Sequence, residues 1–291
     1  MKYWLVSASE TDRGKINMKI ENQSILYRGR HQFDTTIKIN AKGFRIEPAK
    51  VAIGGAVKQF CGNDSVERWK KLIRKGITTS LMIMPISKIK KIEKITEESL
   101  SCLDKAPIDF ILVPSINSRD FTPEVVKWLI KNNYPMVEVF FTSLKECQYV
   151  SWDWVKQAVG PSSISFTFCF PPLYTKEDLR LKENWETALS QLFNIVTFQR
   201  GAALNKDEMQ ITGVYPSKGT IARGDADYLL YYDFKREQIE NEVSAKMGQE
   251  PDIVVLRGKV LKAGSHIQIG EGFGRCCNDF LPGRLRSING V

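Results

Sequence analysis

Ile77-Thr78-Thr79-Ser80-Leu81-Met82-Ile83-Met84-Pro85-Ile86 is the stretch on which the fold class turns. It is strand-length, rich in apolar and β-branched residues, and far short of the roughly 20 apolar residues a membrane span needs. Immediately before it stands Gly76, and before that Ser65 to Lys75, whose apolar residues recur at helical spacing. A glycine just past such a run is a helix stop, because only glycine takes left-handed backbone without penalty. Helix, glycine and buried strand in succession are the repeating unit of a mostly parallel sheet covered by helices. The same alternation continues in both directions. Candidate strands are Val51 to Ile53, Thr79 to Met84, Ile108 to Val113, Met136 to Phe141, Ile164 to Phe170 and Ile195 to Phe198, and Thr122 to Lys131 reads as a helix with Pro123 in its first turn.

The two ends of the chain have a different texture. Tyr3 to Val6, Ile16 to Ile20, Ser24 to Tyr27 and Thr36 to Ile39 are short alternating runs separated by polar turns, and Tyr228 to Tyr232, Ile253 to Lys259 and Ile267 to Ile269 are similar. The expected architecture is therefore a small composite β-sandwich made from residues 1–48 plus 210–291, with an α/β unit inserted at 49–209. That insert is small: a complete eight-stranded α/β barrel takes about 250 residues and rarely fewer than about 200.

Of the 291 residues, 42 are Lys or Arg and 33 are Asp or Glu, a formal charge of +9. The excess is diffuse. Its densest run, Lys88-Ile89-Lys90-Lys91-Ile92-Glu93-Lys94-Ile95, reads as an amphipathic helix with a solvated basic face, so nucleic acid is not an expected partner. No membrane span is expected either, and the amino end turns polar before a secretory apolar segment forms, which gives a cytoplasmic expectation. The six cysteines, Cys61, Cys102, Cys147, Cys169, Cys276 and Cys277, include no Cys-x-x-Cys and read as free thiols. Only two histidines occur, His31 and His266, which excludes a metal site built from three or four imidazoles. Neither a Gly-x-Ser-x-Gly elbow nor a glycine-rich phosphate loop is present. Trp152, Trp154, Phe166, Phe168 and Phe170 are best read as core aromatics.

Several blocks resemble the cyclic amidohydrolases, the family of dihydropyrimidinase, hydantoinase and dihydroorotase. They are Asn40 to Ala52, Leu72 to Thr79, Pro135 to Thr142, Phe170 to Asp178 and, above all, Val214-Tyr215-Pro216-Ser217-Lys218-Gly219-Thr220-Ile221-Ala222-Arg223-Gly224-Asp225-Ala226-Asp227-Tyr228-Leu229-Leu230, followed by Leu256-Arg257-Gly258-Lys259-Val260. The resemblance implies a TIM-like barrel, here incomplete, attached to the composite β-sandwich. It also implies metal-assisted hydrolysis of a cyclic amide, in which metal ions lower the pKa of a bound water.

Position by position, the implied ligands are missing. The two imidazoles of the first barrel strand fall at Gly54 and Ala56, the bridging lysine falls at Glu138, and the catalytic aspartate and the histidine after it fall at Gln199 and Arg200. The expectation is a catalytically degenerate amidohydrolase homologue with no catalytic residue, no metal and no cofactor, acting through self-association or a protein partner. The alternative is a hydrolase or small-ligand binder with a pocket rebuilt around Glu138, Gln199 and Arg200 and suited to a small anion or cyclic amide. For Glu138 the simpler reading is a salt bridge, for instance to Arg200. Cys276-Cys277 reads as two buried thiols.

Overall fold

The computed structural model describes residues 2–11, 14–31, 36–62, 64–172, 175–197, 201–232 and 249–280. The amino-terminal strands are β1 (Lys2–Glu10), β2 (Gly14–Glu21), β3 (Ser24–Gly29), β4 (Lys38–Asn40) and β5 (Phe44–Pro48). The middle of the chain holds β6 (Lys50–Ala56), α1 (Ser65–Arg74), β7 (Ile77–Pro85), α2 (Ile92–Cys102), β8 (Asp109–Asn117), α3 (Pro123–Lys131), β9 (Met136–Phe140), α4 (Trp152–Val159), β10 (Ser165–Cys169), α5 (Lys176–Leu192), β11 (Asn194–Ile195) and α6 (Lys206–Ile211). Strands then return as β12 (Gly224–Asp225), β13 (Tyr228–Tyr232), β14 (Ile253–Leu256), β15 (Lys259–Ala263) and β16 (His266–Ile267).

All six expected strands of the α/β part are present. They pair in parallel and in strict chain order, β6 to β11, with β6 and β11 at the two edges. Thr122 caps α3, its hydroxyl accepting from the Val125 N–H, and Gly76 ends α1 with φ +81°. The expected Lys88 to Ile95 helix is a short 3-10 turn, Ile89–Lys91, leading into α2. Strands from both chain ends join one ten-stranded sheet, in which β5 lies between β1 and β13. The two sheets meet at Gly76, where any Cβ would come within 2.7 Å of a Leu229 methyl.

Period-two alternation divides the parallel sheet into two faces. One face packs under the helices through Ala52, Met82, Met84, Leu112, Val137 and Val139. The other carries Val51, Ile53, Leu81, Ile83, Ile111, Val113 and Met136, and is filled by Leu204, Met209, Val214 and Cys277. Gly201 and Leu204 donate backbone hydrogen bonds to Ile53 and Val51, so this crossing segment also covers part of the β6 edge.

The sheet is split at Pro114. β8 pairs with β9 only over Ser115 to Asn117. Residues 110, 112 and 114 turn their backbone groups toward β9, and Pro114 has no N–H to offer. Below it, residues 275–278 lie along β8 instead: Phe110 N–H donates to Arg275 O at 3.0 Å and Cys277 N–H to Phe110 O at 2.8 Å. Asn278 completes the ladder with its side chain, accepting from Leu112 N–H at 2.9 Å and donating to Leu112 O at 3.2 Å.

Two expectations need correction. Cys61 and Cys102 are not free thiols but form a disulfide, with Cα atoms 5.4 Å apart. Trp154 is not a core aromatic: it is 66% exposed, whereas Trp152, Phe166 and Phe168 pack together around Phe193. Among the described residues, no helix is long and apolar enough to cross a membrane.

Candidate functional site

Parallel α/β proteins place their chemistry at the carboxyl ends of the strands. At that end Glu138 on β9 is buried, and its Oε1 accepts a 2.6 Å hydrogen bond from the buried Ser115 hydroxyl on β8. Thr167 of β10 stands beside Glu138 in register and is also buried. Gln199 and Arg200, which the sequence groups with Glu138, lie outside the described residues.

Gly54 and Ala56 lie on β6 as expected. A Cβ built on Gly54 would fall 2.1 Å from Ser80 Oγ and 3.1 Å from Met82 Sδ. A Cβ at 54 therefore requires Ser80 Oγ to rotate away and Met82 to give slightly. The metal centre implied by the resemblance does not fit these residues. Gly54 and Ala56 have no donor atom, and Glu138 accepts a hydrogen bond from Ser115. His31 precedes β4 and His266 lies on β16, so neither stands on a strand of the parallel sheet.

The charged chemistry of the molecule sits at the opposite end. Asp109 opens β8 and is fully buried, six residues and about 20 Å of strand from Ser115. Lys218 Nζ lies 2.6 Å from Asp109 Oδ2, 2.7 Å from Asp225 Oδ2 and 2.7 Å from Asp227 Oδ2. Arg257 bonds the other oxygen of Asp109 through its guanidinium and Asp227 through its backbone N–H, the latter at 2.7 Å. Arg275 pairs with Asp225 and also donates its backbone N–H to Asp109 at 3.1 Å. Three cations thus balance three carboxylates.

Burial opposes the charge on Lys218, but Asp227, Asp109 and Asp225 outweigh it and hold the ammonium above the ordinary lysine range. Burial likewise opposes ionisation of Asp225, and Lys218 and Arg275 reverse that, lowering its pKa. The acidic trio is the one cluster of potential metal ligands among the described residues. Its centre is taken by the Lys218 ammonium, so it is an ion-pair lock and not a cation site. The lock joins β8 of the parallel sheet to the β12–β13 and β14–β15 connections of the composite sheet.

A second buried carboxylate lies near the carboxyl ends of β8 and β9. Glu146 accepts from Ser118 Oγ at 2.8 Å, Arg119 Nε at 2.9 Å, Thr142 N–H at 2.8 Å and Thr142 Oγ1 at 2.6 Å. Burial opposes its charge, yet the Thr142, Ser118 and Arg119 hydrogen bonds prevail and hold its pKa at about 2. It clamps the loops after the two strands together and is fully satisfied, a structural role that the sequence reading missed.

Cys147 and Cys277 are poorly suited to nucleophilic chemistry. Burial pushes the Cys147 thiol up to about 12, and burial together with Asp109 does the same for Cys277. Cys276 is half-buried, not fully buried as expected, and its thiol contacts Asn278 Oδ1 at 3.2 Å.

No protein-family model and no curated protein sequence matches the chain. Solved structures do. A dihydropyrimidinase from Brevibacillus agri superposes with a TM-score of 0.59 at 10% identity, over 95% of this chain and 98% of that one. A D-hydantoinase (dihydropyrimidinase) from Thermus sp. gives 0.58 at 12% identity, over 98% and 100%. A triazine hydrolase variant gives 0.58 at 11% identity, over 92% and 96%. At this identity the likeness establishes a fold of the amidohydrolase type.

Proposed function

We propose that this chain, built on the amidohydrolase-type fold, is a catalytically silent relative of cyclic amidohydrolases that acts by association, with itself or with a protein partner. The observation that carries this reading is Gly54. On the first strand of the parallel sheet, at the position where the resemblance calls for an imidazole, a Cβ would meet Ser80 Oγ at 2.1 Å, so Ser80 has to turn away before a side chain fits. Ser80 and Met82 of the neighbouring strand occupy the space such a side chain would take, so regaining a ligand calls for those two side chains to move as well as for position 54 to change. The face of the sheet that a barrel enzyme lines with its reacting groups is here filled by Leu204, Met209 and Val214.

Association is supported by exposed apolar surface. Tyr149 is 82% exposed and Trp154 66% exposed, and Leu179 of α5 is also exposed. Tyrosine and tryptophan are enriched at protein interfaces relative to the rest of the surface.

The test is metal content by plasma mass spectrometry after expression with zinc and manganese, paired with light scattering and hydrolysis assays on cyclic amides. Less than about a tenth of an equivalent of metal, no turnover and a mass above that of one chain support the proposal. One or two tightly held equivalents with turnover overturn its catalytic half, and a strictly monomeric mass with no captured partner overturns the other.

A further inference from the structure

We propose that Cys61 and Cys102 form a reversible dithiol–disulfide pair that fastens the segment following β6 to the carboxyl end of α2. Among the four other cysteines, Cys147 and Cys277 are buried with thiols held near 12. Cys61, by contrast, is exposed and Cys102 half-buried, so this pair is open to a small thiol or disulfide. Their Cα separation of 5.4 Å lies within the range a disulfide spans without backbone movement.

The surroundings accommodate both redox states. Both sulfurs face one acceptor, the Val57 carbonyl oxygen, at 3.4 Å from Cys61 and 3.8 Å from Cys102. In the dithiol form each S–H can donate to that oxygen, a weak replacement for the lost covalent bond. The fastened segment matters for packing. Val57 and Phe60 are buried on either side of the exposed Lys58 and Gln59, and the Phe60 ring packs on Trp69 of α1 at 4.4 Å between centroids. When the bond opens, the short 3-10 turn Val57–Phe60 keeps only these two apolar anchors, and Lys58 gains freedom to enter a protease site.

The chemistry balances with an oxidised glutathione-type disulfide as the oxidant. The exposed Cys61 thiolate attacks one sulfur of the small disulfide and releases one small thiol, leaving a mixed disulfide on Cys61. The Cys102 thiolate then displaces the second small thiol and closes the Cys61–Cys102 bond. Two electrons pass from the protein thiols to the small disulfide, and the two protons leave with the products.

The experiment is a glutathione redox titration of the full chain, read by alkylation with a mass tag and peptide mapping. Parallel measurements follow melting and limited trypsin cleavage after Lys58. The expected result is that Cys61 and Cys102 lose or gain tags together as the ratio changes. The reduced form should melt about 5–10 °C lower and be cut after Lys58 at least several-fold faster. A Cys61→Ser variant should show the reduced behaviour at every ratio. Tags on both residues at all ratios, a bond that survives strong reductant in the folded protein, or identical melting and cleavage in the two forms would each overturn the proposal.

Discussion

Lys218 and Asp109, far apart in sequence, meet at 2.6 Å in the interior between the two sheets. Asp109 opens a strand of the parallel sheet, and Lys218 belongs to the chain that leads back into the composite sheet. Their pairing, extended by Asp225, Asp227, Arg257 and Arg275, is what a scaffold motif looks like when its function is to hold two units in register. The cost of burying so many charges is offset only because each has a geometric partner.

Lys218→Met should therefore lower stability by about 3–5 kcal/mol, since it leaves buried carboxylates without their central cation. Arg275→Met should cost much less, about 0–1 kcal/mol, because that side chain is 42% exposed. Urea unfolding measures both. Equal losses for the two variants would show that burial does not govern the lock.

Glu146 gives the fold a pH dependence whose sign follows from its depressed pKa of about 2. Its unfolded value is about 4.3, so between the two values the unfolded chain binds more protons than the folded one. The stabilisation is fully present above the unfolded value and is lost as pH falls through about 4 toward 2. Glu146→Gln should be less stable than the parent at neutral pH and lose less on acidification over that window. Parallel pH slopes for parent and variant in urea titrations would remove Glu146 from the acid response.

Much of the fold was legible because strand periodicity is local. The apolar runs at Val51, Thr79, Ile108, Met136, Ile164 and Ile195 each carry their own signal, and Gly76 and Thr122 mark helix ends by backbone chemistry alone. The ion-pair lock was half legible. Lys218, Asp225 and Asp227 stand together in the block most similar to the family, but Asp109 is a single acid at the start of an apolar run, and nothing local links it to them. The Cys61–Cys102 bond is illegible for the same reason: a separation of 41 residues leaves the pairing to tertiary structure. At the carboxyl end of the sheet, glycine and alanine at 54 and 56 were readable, whereas the closeness of Ser80 to Gly54 was not.

The split at Pro114 makes Asn278 a replacement for strand backbone, and its removal should be felt at one residue pair. Asn278→Leu leaves the buried N–H and C=O of Leu112 without their partners, at an expected cost of about 2–4 kcal/mol. Hydrogen exchange should locate the effect, with the Leu112 amide losing protection relative to Ile116, which lies above the split. Uniform loss of protection across β8 would mean that the segment acts by bulk packing alone.

Gly54 offers the sharpest test of adaptation to the loss of an imidazole. If β7 is packed for a glycine, Gly54→Ala should destabilise by about 1–3 kcal/mol through overpacking, because Ser80 Oγ sits 2.1 Å from the new Cβ. Ser80→Ala removes that oxygen and should by itself change stability by less than about 1 kcal/mol, its recorded contact being a 3.3 Å bond to Met82 Sδ. The double variant should then recover at least half of the Gly54→Ala loss, a coupling that contacting residues show and distant ones do not. Additive losses in the double-mutant cycle would mean that the barrier lies in the backbone at position 54 and not in Ser80. A Gly54→Ala protein as stable as the parent would mean that the strand still has room for a ligand there, and the inference from packing to catalytic silence would lose its footing.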